Sequence, residues 1–230
     1  EKEVDEENND CSRLPIDRCF TIDGHGTVGT GTLLDGNLCV GDTVQLFPSD
    51  NVARIRSIEV HGENMDKAFA GQRTAINLSG VKKQDVKRGL VAAIPGSLQV
   101  VKCLAVKIQM FSYCQREISH NSRVHFHCGT AETVCRVSLI GCDSLAAQES
   151  GYAYLYFDNA IALRRGDKFI LRFFSPMESI AGGTVLDIMP PKYGRKPQAL
   201  DYCKAVDCVV WEQIILAYIK NNKERLSYYN

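Results

Sequence analysis

The 230 residues contain no Gly-x-x-x-x-Gly-Lys-Ser/Thr run, so the loop that cradles nucleotide phosphates is missing and GTP hydrolysis by these residues is excluded. The glycine-rich run 24–31 is no substitute. It leads into a strand-like segment and lacks the aligned amides and dipole of a helix N-terminus. No two of the ten cysteines stand at Cys-x-x-Cys spacing, which removes the common redox and zinc signatures. Most sit in apolar runs, as at Cys39, Cys103 and Cys135, where a free thiol behaves as a small buried hydrophobe. Reduced thiols of a cytosolic protein are therefore expected. No apolar stretch approaches membrane-spanning length and no signal-peptide pattern opens the chain, so a soluble, cytoplasmic protein with no membrane partner is expected. Net charge is missing as well, with 27 basic and 27 acidic residues. That average conceals a division. Residues 1–10 carry six acidic groups and one basic group, so the remaining 220 carry 26 basic and 21 acidic, a net of +5. A modest basic excess permits RNA contact without requiring it.

What is present begins with residues 14–31, Leu-Pro-Ile-Asp-Arg-Cys-Phe-Thr-Ile-Asp-Gly-His-Gly-Thr-Val-Gly-Thr-Gly. Two runs of β-branched and apolar residues flank a glycine-bracketed turn at 23–26, which predicts a hairpin. Pro15 falls near the start of the first strand, where a missing donor does least harm. Asp17 and Arg18 are consecutive, so simple alternation puts them on opposite faces. Further strands are predicted over 27–34, 43–47, 53–61, 73–78 and 90–93, separated by Gly36-Asn37, Gly41-Asp42, Pro48-Ser49-Asp50, Gly71 and Gly89. Short strands at this spacing, with no helix-length segment among them, predict a small barrel. In 53–61 the apolar parity changes between Arg54/Arg56 and Ile58/Val60, which predicts a bulge near Ser57.

Pro95-Gly96-Ser97 marks the expected boundary. Beyond it strands are predicted over 103–111, 123–128, 133–140, 152–157, 168–174 and 183–186, giving a second barrel of about ninety residues. The chain then becomes basic and proline-containing (Pro190-Pro191-Lys192, Gly194-Arg195-Lys196-Pro197). A short helix over 198–206 follows, with Pro197 suited to its first turn. A longer helix is predicted over about 210–225, with Trp211, Ile214, Ile215, Tyr218 and Asn222 on one face. The expected organisation is an acidic linker over 1–12, a β-barrel over 13–96, a second β-barrel over 97–189, and a basic connector opening a helical, winged-helix-like segment over 190–230. The fold class is mainly β.

The order of the hairpin, Gly31-Thr32-Leu33-Leu34, Val40-Gly41-Asp42, Ile55-Arg56-Ser57-Ile58, His61-Gly62-Glu63 and Ala70-Gly71-Gln72-Arg73 resembles the second domain of translational GTPases. Leu14-Pro15-Ile16-Asp17-Arg18, Asn77-Leu78-Ser79-Gly80-Val81 and Lys87-Arg88-Gly89 are most similar to the selenocysteine-specific elongation factor. The resemblance continues more loosely through Val124-His125-Phe126-His127, Arg136-Val137-Ser138-Leu139, Leu163-Arg164-Arg165-Gly166-Asp167 and Phe169-Ile170-Leu171-Arg172. It implies two translation-factor barrels from a longer chain, consistent with a start at Glu1 without methionine. It implies an aminoacyl pocket of Asp17, Arg18 and Arg73, with His61 near it. Arginine stays charged and offers fixed donors, which suits the anionic selenolate of selenocysteinyl-tRNA over neutral serine. Asp17 would orient one arginine or bond the aminoacyl amine.

The resemblance further implies contacts from Arg164, Arg165, Lys168 and Arg172 to the tRNA backbone, and Lys192, Arg195 and Lys196 are basic enough to join them. No cofactor is expected here; GTP and Mg would belong to a GTPase domain upstream. The ribosome, and an mRNA hairpin read by further C-terminal domains, complete the expected partners. Two departures stand out: Gly29 replaces a bulky apolar residue, expected to leave local looseness or a close backbone approach, and Leu90 stands where Asp often follows Arg-Gly. Besides the resemblance, His125 and His127 share a strand face beside Cys128, but that set lacks a fourth ligand and no metal is expected. A general carrier of the elongation factor Tu type, or a barrel that only meets other proteins, is the alternative.

Overall fold

The computed structural model describes residues 12–22 and 26–208. The acidic residues 1–11, the turn residues 23–25 and the helix predicted over 210–225 lie outside them. The described residues divide into two compact units, one running to Val100 and including Gly129–Glu132, the other made of Val101–Cys128 and the residues from Thr133 onward; the strands Val100–Met110 and Ala131–Ile140 have most of their residues in the second.

The first unit contains β1 (Arg13–Ile22), β2 (Gly26–Thr32), β3 (Asn37–Cys39), β4 (Thr43–Phe47), β5 (Val52–Val60), β6 (Glu63–Met65), β7 (Lys67–Phe69), β8 (Arg73–Ser79) and β9 (Val91–Ala93). Hydrogen bonding runs β4-β9-β1-β2-β8-β5 and returns from β5 to β4, so six strands close on themselves; β6 extends β5, and β3 pairs with β7. Alternation sets the inside. In β8, Thr74, Ile76 and Leu78 are buried and the residues between them are not. With Leu14, Ile16, Val44, Leu46, Ile55 and Ile58 they line a dry core, each large aliphatic contributing about 1.5–3 kcal/mol of burial. In β5 the register slips between Ile55 and Ser57. The extra residue lets Ile55 and Ile58, three apart, both face inward.

The departures at Gly29 and Leu90 acquire physical reasons. A Cβ on Gly29 would stand 3.2 Å from Ile16 Cδ1, so the Ile16 side chain occupies the room a larger residue would need. Leu90 is buried in the same core. At Gly31 a Cβ would come within 2.1 Å of the Pro15 carbonyl oxygen; here the two backbones approach as only glycine permits.

The second unit contains β10 (Val100–Met110), β11 (Ile118–Ser119), β12 (Arg123–Cys128), β13 (Ala131–Ile140), β14 (Ser144–Leu145), β15 (Ser150–Ala162), β16 (Lys168–Arg172), β17 (Ser179–Asp187) and α1 (Pro197–Asp207). Strands β10-β15-β13-β12-β16-β17 form a closed barrel, while β11 pairs with β14. Phe126 packs at 5.0 Å from both Phe157 and Phe169 inside it. Gly183 makes room for that stack, since a Cβ there would lie 2.2 Å from Phe169 Cζ.

Pro197 opens α1, where its missing donor costs nothing. Ala199, Tyr202, Cys203 and Val206 recur at helical spacing and are buried against Ala105, Ile140, Tyr154 and Leu186 of the barrel exterior. Polar contacts fix both ends. Arg195 donates to the carbonyls of Leu139 (3.1 Å) and Cys142 (2.7 Å) and pairs with Asp143 at 2.7 Å. Tyr202 donates to buried Asp187, and Asp207 takes hydrogen bonds from Lys107 Nζ (2.7 Å) and the Tyr152 hydroxyl (2.9 Å). The connector expected from residue 190 onward therefore continues the packing of the second barrel through Asp207.

Candidate functional site

The outward face of β1, β2 and β8 brings Asp17, Arg18, Thr30 and Arg73 together. The β1–β2 ladder pairs Ile16 with Gly31 and then Arg18 with Thr30, two residues on β1 against one on β2. Asp17 is the extra residue of a bulge. Alternation alone would have put it opposite Arg18, but the bulge re-aims its side chain. The opposite-face expectation is thus corrected. Thr30, the register partner of Arg18, donates from Oγ1 to Asp17 Oδ1 at 3.0 Å, so the carboxylate shares the face of both.

Arg73 begins β8 as the register partner of Thr32. Its Nη2 donates to Asp17 Oδ1 at 2.9 Å and its Nη1 to Oδ2, a fork-on-fork pair. The same Nη2 reaches Thr30 Oγ1 at 3.5 Å. The Arg73 hydrogen bond holds the Asp17 carboxyl below its ordinary range against the opposing effect of burial, with Thr30 and the charge of Arg18 assisting. The carboxylate in turn raises the Arg73 guanidinium. The pair is about half-open to solvent, at 47% side-chain exposure for Arg73 and 27% for Asp17. At that exposure an ion pair adds at most about 1 kcal/mol to stability. The apolar core, not this pair, holds the barrel.

Arg18 is exposed. Its guanidinium makes no side-chain hydrogen bond among the described residues, so it is the cation this face leaves open. Two residues on, Phe20 exposes 40% of its surface. His61 lies in the turn after β5 with a positive φ of 55°. It follows the Val60–Thr74 register pair, where β8 has just begun with Arg73, and it too is exposed. Sequence reasoning missed Thr30, whose hydroxyl looks like ordinary strand chemistry until the bulge is known.

The basic residues singled out in the second barrel have different fates. Arg165 donates to the carbonyl of Val206, where a cation suits the negative end of α1. Lys168 Nζ donates to Thr184 Oγ1 at 2.7 Å and remains exposed. Arg172 is half-buried as the register partner of His125. Arg164 contributes its backbone amide to Asp167 at 2.8 Å, closing the turn before β16. Lys168 and Arg172 thus share one outward parity of a single strand. His125 and His127 have ring centroids 6.2 Å apart, and His125 rests on Phe174 at 4.3 Å. Cys128 turns away and donates to the Lys168 carbonyl at 3.1 Å. The cysteines among the described residues are free thiols. Burial pushes Cys103 up to about 11 and Cys135 and Cys203 to about 12, which removes them as nucleophiles at neutral pH. No helix among the described residues is long and apolar enough to cross a membrane.

Two family models match. Residues 26–93 match elongation factor Tu domain 2, and residues 105–192 match the β-barrel domain of the selenocysteine-specific elongation factor. The chain is 32% identical over 92% of its length to the selenocysteine-specific elongation factor of Desulfomicrobium baculatum, and 32% identical over 83% to that of Escherichia coli. It is 34% identical over 70% of its length to elongation factor 1-alpha of Saccharolobus solfataricus. It spans about a third of each of these relatives, 33%, 29% and 36%. Two consecutive barrels of the matched kinds, in the matched order, make this chain a translation-factor barrel segment similar to that of the selenocysteine-specific elongation factors.

Proposed function

We propose that these barrels bind an aminoacyl-tRNA and carry no catalytic group. The first barrel takes the aminoacyl end and the second takes the tRNA backbone, for delivery to the ribosome in the cytoplasm. The preferred cargo is selenocysteinyl-tRNA. The observation that carries this reading is Arg18, an exposed guanidinium with no side-chain hydrogen bond among the described residues, beside a second arginine already neutralised by Asp17. A selenolate is anionic at neutral pH and an alcohol is not, so one open cation on a face that Phe20 makes partly apolar favours the former. Lys168 and Arg172 on one strand parity supply the backbone contacts, while Arg165 serves α1. GTP and Mg would be held by a domain outside these residues, and an mRNA hairpin by others.

The deciding experiment titrates the full-length parent, with GTP, against one tRNA charged with selenocysteine or with serine. At least a tenfold preference for the selenocysteine form is expected. Equal binding would leave a carrier of ordinary aminoacyl-tRNA.

A further inference from the structure

Asp17 sits between two arginines. Arg18 is its neighbour in the chain and shares its face because of the bulge; Arg73 reaches it from β8. A single carboxylate can neutralise one of them fully. Nothing in the strand pairing alone selects Arg73, since both side chains are long and exposed. The asymmetry enters with Thr30. Its hydroxyl donates to Asp17 Oδ1 at 3.0 Å, the same oxygen that accepts from Arg73 Nη2 at 2.9 Å, and that Nη2 also reaches the hydroxyl oxygen at 3.5 Å. Three groups on three adjacent strands form a closed triangle. Arg18 stands outside it, although Thr30 is its own register partner.

We propose that Thr30 is a positioning residue that decides which arginine is neutralised: it tethers the Asp17 carboxylate to Arg73 and so leaves the charge of Arg18 open for an anionic ligand group. This rests on the reading that Arg18 meets the cargo, but its first consequence is intrinsic to the barrel. Without the hydroxyl, Asp17 loses one of its three donors and is shared between the arginines. The open cation is then partly quenched, and an anionic ligand loses more than a neutral one does.

Thr30→Val keeps the β-branched shape that suits the strand and removes only the hydroxyl; Thr30→Ser keeps the hydroxyl. Two readouts are taken on parent and both variants. One is the Asp17 carboxyl titration in this chain, followed by carbon chemical shift, with the titrating neighbourhood being Arg18 on β1 and Arg73 on β8. The other is the ratio of affinities for selenocysteinyl- and seryl-tRNA in the full-length parent. Thr30→Val is expected to move the Asp17 midpoint upward and to lower the ratio about tenfold, the worth of one hydrogen bond to a charged group. Thr30→Ser is expected to restore both.

An unmoved midpoint in Thr30→Val, an unchanged ratio where the parent discriminates, or a serine variant that behaves like the valine variant overturns the proposal. If the parent itself shows no preference, the cargo assignment falls, and the Asp17 midpoint alone still decides whether Thr30 tethers the carboxylate.

Discussion

The two barrels treat outward-facing charge differently. In the first, Asp17 and Arg73 meet across strands on an uncovered face, and Arg18 is left open beside them. In the second, α1 lies over part of the exterior and draws basic residues into holding it: Lys107 to Asp207, Arg165 to the Val206 carbonyl, Arg195 to Leu139, Cys142 and Asp143. The lesson is that a basic residue on a barrel exterior keeps its charge for a ligand only where no carboxylate or helix end of the chain has claimed it. A count of basic residues cannot make that distinction; hydrogen-bond partners can.

The contrast breaks most sharply at α1. Tyr202→Ala removes a buried ring and leaves Asp187, only 2% exposed, without that phenol donor. A loss of about 3 kcal/mol or more is expected. Hydrogen exchange should show lost protection in β15 and β17 and unchanged protection in β1, β2 and β8; equal loss in both barrels would mean that α1 is not specific to the second.

Gly31→Ala is the complementary cut in the first barrel. Its new Cβ would meet the Pro15 carbonyl, and about 2 kcal/mol of destabilisation is expected, read as a lower denaturation midpoint with the exchange pattern reversed.

Arg165→Ala sharpens the comparison among basic residues. It is expected to cost about 1 kcal/mol at the end of α1 and to leave RNA affinity nearly unchanged. Lys168→Ala should weaken RNA binding severalfold and reduce its salt dependence by about one charge. An Arg165 variant that loses as much RNA affinity as the Lys168 variant would return Arg165 to the RNA face.

The smallest effect is at Asp17. Its folded pKa lies below its unfolded value, so the stability it contributes is present above the unfolded pKa of about 3.9 and disappears as pH falls through the folded value. Asp17→Asn should therefore lower stability by less than about 1 kcal/mol at neutral pH. Parent and variant should converge in acid below about pH 4, checked by denaturant titrations at several pH values.

Much of this fold is legible in the residues because period-two alternation and glycine turns are local signals. The strands at 43–47 and 123–128 coincide with β4 and β12. The parity change in 53–61 marks a real register slip between Ile55 and Ser57, since an aliphatic core announces a bulge by changing the side on which it appears. The bulge at Asp17 gives a fainter warning. Asp17 and Arg18 are both polar, so the slip shows only further on, where Cys19 packs against the core and Phe20, of the same parity as buried Leu14 and Ile16, is exposed. The fate of Arg165 was hidden. It depends on where a helix some forty residues later places one of its final carbonyls, that of Val206, and nothing local records that distance.

The Asp17–Arg73 pair has one more consequence, visible from outside the protein. At physiological ionic strength a single charge acts over about 8 Å before salt screens it. Two opposite charges in contact make a dipole, whose field falls off faster than that of either alone. An approaching anion therefore feels a monopole centred on Arg18, and meets Arg73 as a second cation only when it is near enough to compete with Asp17. Range and contact are read by different arginines, and the carboxylate between them sets the distance at which one gives way to the other.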